Sequence, residues 1–400
     1  MNWLLAYHLD QAITTGRIAV VDFDGRRREF GEATTQPLTV RLHDRRAEFD
    51  LALRPELALG ELYMDGRLTV EDGSIADLLQ LIACNTSAWR HRGLSFSRPH
   101  GLAGLKRARR NVAHHYDLSG ALFGLFLDTD RQYSCAFFET EKDTLETAQL
   151  NKKRRIAAKL ALEPGQTVLD IGSGWGGLAL YLAKTAQAEI TGVTLSAEQF
   201  HASEQRALQE GLSGRVRFRL EDYRRVDGTY DRVVSVGMLE HVGRSGYQDF
   251  FEKTASLLAD KEVALIHFIG GDRPTAPNPW FDKYIFPGGY TPALSEVLPA
   301  IEDSGLIVTD IEVLRLHYAF TLAEWRRRFI ENLSRAAAIY DERFCRMWEF
   351  YPAACEMAFR HQRLVVFQIQ LAKRIDALQI ARDYMIAASS TIERSDRHAA

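Results

Sequence analysis

Apolar and polar positions follow two rhythms along this chain. Near the start, Arg17-Ile18-Ala19-Val20-Val21-Asp22-Phe23 runs into an Asp24-Gly25 turn, and Leu38-Thr39-Val40-Arg41-Leu42 and Ala47-Glu48-Phe49-Asp50-Leu51 alternate like half-buried strands. Helical spacing follows at 55–64 and 75–84. This predicts a small α+β domain over residues 1–98. Further on, an amphipathic helix at 145–162 precedes a strand ending near Asp170. Helices near 177–186, 197–211 and 245–258 then alternate with strands at 189–194, 215–219, 231–236 and 262–269. That alternation is the rhythm of a mostly parallel sheet with helices on its faces. Two long helical patterns, 322–350 and 353–385, are separated by Tyr351-Pro352. The expected fold class is α/β: a Rossmann-like catalytic domain over 111–400, with the small domain before it and a linker at 99–110.

The stretch that organises the larger domain is Thr167-Val168-Leu169-Asp170-Ile171-Gly172-Ser173-Gly174-Trp175-Gly176-Gly177-Leu178. A strand ends in an acid, crosses a glycine-dense turn and opens into a helix, so backbone amides can approach a ligand at a helix N-terminus. Gly172, Gly174 and Gly177 satisfy the dinucleotide pattern G-x-G-x-x-G. A dinucleotide site also needs an acid at the end of the next strand for the ribose. Here that strand ends in Thr194-Leu195-Ser196, and an acid, Asp170, precedes the first glycine. The D-x-G-x-G pattern resembles the S-adenosylmethionine (SAM) loop of Rossmann-like methyltransferases; a dinucleotide site and a purely structural turn are the competing readings. Ligands in such sheets bind outside the carboxyl ends of the strands. Asp170, Thr194, Glu221, Asp222 and Glu240 are therefore expected around one crevice.

Composition narrows the field. The net charge of −3 suggests no nucleic-acid partner. Four widely spaced cysteines (Cys84, Cys135, Cys345, Cys355) with no C-x-x-C argue against zinc and against a disulfide framework. No apolar run approaches the length of a membrane span, and the first residues lack the features of a signal peptide. The expected location is cytoplasmic, peripheral at the inner face of a membrane. Between Leu78 and Tyr116 there is no acid, but Arg90, Arg92, Arg98, Lys106, Arg107, Arg109 and Arg110 occur among Trp89, Leu94 and Phe96. Such a segment suits anionic phospholipid headgroups; a solvated linker is the alternative. Between the fifth expected strand and residue 290, Pro274, Pro277, Pro279, Trp280, Tyr284 and Phe286 make a long aromatic loop, a form often taken by lids and substrate walls.

Seven motifs then stand in one order. They are His115-Tyr116-Asp117-Leu118-Ser119, Tyr133-Ser134-Cys135-Ala136, the run Leu169 to Gly177, Thr194-Leu195-Ser196 with Gln199, Met238-Leu239-Glu240-His241-Val242-Gly243, Phe286-Pro287-Gly288-Gly289, and Cys355-Glu356-Met357-Ala358-Phe359-Arg360. In this order, over roughly residues 106–385, the chain resembles the cyclopropane-fatty-acid synthases. The resemblance implies a class I SAM methyltransferase fold and methylene addition to the cis double bond of phospholipid acyl chains, through a carbocation. A bound bicarbonate ion is the base in that family. Its cage would be backbone groups of Cys135 and Ile269 with the side chains of Glu240, His267 and Tyr318. The resemblance also marks Cys355 as an active-site cysteine, and the residues before 99 as a domain for dimerisation and lipid contact, giving a homodimer. A methyl-branched or exomethylene product, or a small-molecule methyltransferase, is the alternative.

The residue types suit that chemistry. An alkene is a poor nucleophile with no proton to remove beforehand, so a serine or cysteine triad has no use. Its reaction needs close positioning, stabilisation of a cation and a late base. Glu240 and Tyr247 can stabilise the cation by charge and cation–π attraction. His267 and the Tyr318 hydroxyl can donate to a buried anion. For SAM, Gly172, Ser173, Gly174 and Gly176 are expected along the methionine and ribose, and Thr194, Ser196 and Gln199 on the ribose side. Glu221 or Asp222 is expected near the adenine, with Tyr133 and Ser134 at the methionine end.

Overall fold

The computed structural model describes residues 1–91 and 119–399. The expected linker at 99–110 and the His115-Tyr116-Asp117-Leu118 motif lie outside the described residues. The chain forms two compact units, neither continuous in sequence.

The first unit combines the N-terminal residues with 276–287 and 322–363. Its strands are β1 (Arg17–Val21), β2 (Arg27–Gly31), β3 (Leu38–Leu42) and β4 (Leu68–Val70), in the order β2-β1-β3-β4. Strands β1 and β3 are parallel, and the other pairs antiparallel. Residues 47–51, expected as a strand, belong instead to the helix Arg45–Leu53. Asp44 caps that helix, its carboxylate accepting from the Ala47 N–H at 2.9 Å, and the buried positions Ala47, Glu48 and Ala52 keep helical spacing. The segment 276–287 is held here by Trp280, buried against Gly60, where an added Cβ would come within 2.3 Å of the indole nitrogen. Lys283 and the Tyr284 hydroxyl both donate to Glu61, at 2.6 and 2.8 Å. The expected break at Tyr351-Pro352 is absent: both are buried inside the continuous helix Glu342–His361, whose Glu349 accepts from the Tyr63 hydroxyl at 2.8 Å. The expected helix 322–350 is in turn divided among His317–Glu331, Leu333–Ala337 and this one.

The second unit holds a seven-stranded sheet of β5 (Thr167–Ile171), β6 (Glu189–Thr194), β7 (Val216–Leu220), β8 (Tyr230–Val236), β9 (Leu258–Gly271), β10 (Ile307–Leu314) and β11 (Leu364–Ala372). The order is β10-β11-β9-β8-β5-β6-β7. Only β11 is antiparallel to its neighbours. Residues 364–372, expected as helix, are therefore a strand between β9 and β10. The run Leu364-Val365-Val366-Phe367 is β-branched and aromatic, and the sheet satisfies Gln368 and Gln370 with partners that a sequence does not display.

Alternation along the strands supplies two cores. Leu169, Ile171, Val233, Ala264 and Ile266 pack with Phe250, Phe251, Val297 and Ile301 on one side of the sheet. Val168, Val234 and Leu265 pack with Ile156, Leu160, Leu178 and Leu182 on the other. Each fully buried side chain of this kind contributes about 1.5–3 kcal/mol. The result is the expected helix–sheet–helix sandwich. No helix among the described residues is long and apolar enough to cross a membrane.

Candidate active site

After β5 the chain builds β6 and β7 on one side, then returns to place β8 on the other. The carboxyl ends diverge at such a switch point and leave a crevice. A cavity of about 200 Å³ opens there. Tyr133, Ser134, Gly172, Ser173, Gly174, Thr194, Ser196, Gln199, Glu221 and Asp222 all line it, together with Asp170 and the β8 end Gly237-Met238.

Gly176 does not line the cavity. Its φ is +80°, and a Cβ would meet Phe218 at 2.8 Å and Ser203 at 2.9 Å, so this glycine lets the helix Gly177–Ala186 close onto its neighbours. Gly174, with φ +54°, has nothing within 4 Å of a Cβ position and lies in the cavity wall.

The ribose-side residues are tied together. Thr194 Oγ1 donates to Gln199 Oε1 at 3.0 Å and accepts from the Ser196 N–H at 3.2 Å, while Ser196 caps the helix Ala197–Gln209. Asp222 is clasped by Arg224, which donates through Nε at 2.8 Å and Nη2 at 2.5 Å. Asp170 is buried, its Oδ2 lacks a partner among the described residues, and burial pushes its carboxyl up to about 7.

Sequence reasoning passes over Lys152, Trp175 and His241, all in the cavity wall. Lys152 is fully buried and donates to Gln132 Oε1 at 2.7 Å and Ser134 Oγ at 2.8 Å. Burial pushes its ammonium down to about 8. A charged residue on an amphipathic helix reads by default as solvent-facing, which hides it. His241 is half-buried in the cavity wall with Met238.

Behind the wall, a second group gathers around β8 and β9. Glu240 sits on the short helix Leu239–Val242, and its Oε1 accepts from the Ile269 N–H at 2.7 Å. Its Oε2 is buried without a partner among the described residues, and burial pushes the carboxyl up to about 7 despite the bond from Ile269. The Tyr247 hydroxyl is likewise buried and without a partner among the described residues; burial raises its pKa, and the nearby Glu240 charge adds to this. His267, buried on β9, is held through Nδ1 by Gln368 at 3.1 Å.

Cys135 follows the cavity residue Ser134 and is buried, with its thiol pushed upward by burial. The next backbone groups anchor this segment: Ala136 N–H donates to Thr321 Oγ1 at 3.0 Å and Phe138 N–H to His317 Nδ1 at 3.1 Å. Those acceptors lie in the turn that carries the buried Tyr318, so His317 is a fastening and Tyr318 its neighbour. Cys355 is elsewhere: it lies half-buried on the helix Glu342–His361 of the first unit, its thiol also pushed upward by burial.

Comparisons with known proteins give the family. The family model described as mycolic acid cyclopropane synthetase matches residues 104–369. A second, described as a domain of unknown function, matches residues 8–92. The probable fatty acid methyltransferase of Pseudomonas putida is 39% identical over 270 residues, 66% of this chain and 68% of that protein. The cyclopropane-fatty-acyl-phospholipid synthase of Escherichia coli K12 is 37% identical over 333 residues, 82% of this chain and 86% of that protein. Among solved structures, the cyclopropane synthase MmaA2 from Mycobacterium tuberculosis superposes with a TM-score of 0.63 at 34% identity, covering 70% of this chain and all of that one. The chain belongs to the mycolic acid cyclopropane synthetase family and is a SAM-dependent methyltransferase.

Proposed function

We propose that this enzyme is a cyclopropane-fatty-acyl-phospholipid synthase. The observation that carries the reading is a pair of buried polar atoms without partners among the described residues, Glu240 Oε2 and the Tyr247 hydroxyl. A buried polar group left unpaired costs about 1–3 kcal/mol, and an enzyme that must stabilise a transient cation in a dry site has a use for both. SAM, when bound, supplies an electrophilic methyl group. The chain's part is to hold the acyl double bond near that methyl and to place the Glu240 carboxylate and the Tyr247 ring by the developing cation. Neither Cys135 nor Cys355 serves as nucleophile in this reading, since burial keeps both thiols protonated.

The residues also fit a bicarbonate ion. Glu240 Oε2 would accept from its hydroxyl, and His267, Tyr318 and the backbone at Cys135 would complete the set; the Ile269 N–H, already given to Glu240 Oε1, would act by fixing that carboxylate. Bound there, the ion would supply the base that removes a proton from the transferred methyl. For membrane contact, helix Trp3–Ala12 exposes Trp3 and Tyr7 one turn apart, and the helix Arg45–Leu53 packed beside it exposes Phe49 and Leu53 in the same spacing. Exposed aromatic and aliphatic side chains of this kind suit a lipid interface. We place the enzyme at the cytoplasmic face of the membrane, acting as a homodimer on unsaturated phospholipid chains with anionic headgroups nearby.

A second reading has support in the Pseudomonas relative, named as a fatty acid methyltransferase: the same cation quenched to a methyl-branched or exomethylene lipid. One experiment separates the two. The chain is expressed in a host fed methyl-deuterated methionine, and its lipids are profiled by mass spectrometry. One added carbon with two deuteriums and no double bond means ring closure. Three deuteriums retained means the methyl-branched product, and no labelled lipid rejects both.

A further inference from the structure

Gln368 lies directly across from His267 in the β9–β11 pairing, and both are buried. Its two amide ends face different partners. Gln368 Oε1 accepts from Lys159 Nζ at 2.7 Å, and Gln368 Nε2 lies 3.1 Å from His267 Nδ1. A lysine ammonium has donors only, so the amide cannot be turned around without setting two donors against each other.

Lys159 is itself fixed. It is buried, and its Nζ also donates to Glu312 Oε2 at 2.6 Å. Arg155 grips the same carboxylate, donating from Nε to Oε2 at 2.6 Å and from Nη2 to Oε1. Burial alone would raise the Glu312 carboxyl, but Arg155 and Lys159 hold it down to about 2. The ammonium therefore faces a permanent counter-charge, and Gln370 further anchors the helix end by donating to the Lys159 carbonyl.

We infer that Lys159 and Gln368 are positioning residues that hold His267 as the tautomer with a bare Nδ1 and a proton on Nε2. An amide NH2 only donates, so Nδ1 must accept, and a neutral imidazole then carries its hydrogen on Nε2. Nε2 makes no hydrogen bond to the described residues. Gln368 meets the ring directly, and Lys152, Lys159 and Glu312 act on it through their charges. Burial first, then the two lysines, push its imidazole down to about 3, so it is neutral at working pH. His267 thus offers a fixed N–H donor and does not serve as a general acid or base. This rests on the proposal that the residues around Glu240 hold an anion, and it adds the device that aims the donor at it.

The test uses the full chain with ring-15N histidine, His267 being assigned by loss of its signal in His267→Asn. NMR should show Nδ1 unprotonated and Nε2 protonated. In Gln368→Glu, the new carboxylate accepts rather than donates, so the proton should move to Nδ1 or the ring should become charged. That variant should lose roughly tenfold or more in kcat with KM for SAM little changed, and Gln368→Met should show a mixed tautomer. A wild-type ring protonated on Nδ1 overturns the inference, whether or not any variant folds. So does an unchanged tautomer in a folded Gln368→Glu. Bicarbonate dependence of the wild-type rate is measured separately. If the tautomer is as inferred and added bicarbonate has no effect, the anion assignment falls while the positioning of His267 stands.

Discussion

The carboxyl group of Glu240 is divided between two fates: Oε1 accepts from the Ile269 N–H at 2.7 Å, and Oε2 is buried with no partner among the described residues. One oxygen fixes the group and the other is left for chemistry. If the ionised form is the active one, kcat should rise with pH through about 7, the value to which burial pushes this carboxyl. Glu240→Gln should abolish that limb and reduce kcat roughly a hundredfold or more, with SAM affinity near the wild-type value.

Stability gives the same residue a second readout. The folded pKa of about 7 stands above the ordinary 4.5, so the unfolded chain releases this proton first as pH rises. The carboxyl favours folding below about 4.5, and that advantage is lost as pH rises to 7. Between about pH 4 and about pH 8, the stability of Glu240→Gln relative to wild type should therefore improve by on the order of 3 kcal/mol. Denaturant unfolding across pH checks this, and parallel curves for the two proteins would refute it.

Lys152 makes a different prediction. Its donors hold Ser134 and Gln132 in the wall of the crevice proposed for SAM, and among the described residues it makes no salt bridge to a carboxylate. Lys152→Met keeps the volume and removes the charge. Affinity for SAM, measured by calorimetry, should fall roughly 10- to 100-fold, the range of a hydrogen bond to a charged group. The melting temperature should hold or rise, because burying an ammonium is itself unfavourable. Loss of stability with unchanged affinity would make the lysine structural.

Two glycines of one loop should respond in opposite ways. Gly176→Ala forces a Cβ onto Phe218 and Ser203 at positive φ and should destabilise the fold by about 1–3 kcal/mol. Gly174→Ala has room for its methyl, so thermal stability should suffer less while SAM binding weakens, the methyl standing in the cavity wall.

Membrane binding can be divided between two places. Replacing Trp3 and Phe49 with Ser should reduce sedimentation with phospholipid vesicles at any headgroup charge. Replacing Arg107, Arg109 and Arg110 with Ser should reduce it only for anionic vesicles, and more at low salt. Wild-type sedimentation in either variant removes that segment from the account.

What could be read from the chain depended on range. The turn from Asp170 to Gly177 is legible because strand, turn and helix are all local, and Thr194, Gln199 and Asp222 follow from the strand ends they occupy. Lys152 and Lys159 are not legible: each is a cation on a helix, and only the folded sheet shows that both are buried. Gln368 was hidden twice, by its polarity and by a strand that continues an apolar helical pattern. The helix at Arg45–Leu53 was misread because its five central residues also alternate; the capping Asp44, three residues before Ala47, was the available clue.

The late position of β11 sets an order of events during synthesis. Its slot lies between β9 and β10, but the ribosome must deliver all of 315–363 before the strand that fills it appears. Until then the nascent chain carries two open sheet edges, the form most prone to pair with a neighbouring chain. Gln368 arrives on that same strand, opposite His267. A chain stalled before residue 364 can therefore build the cofactor loop, but not the completed centre behind it.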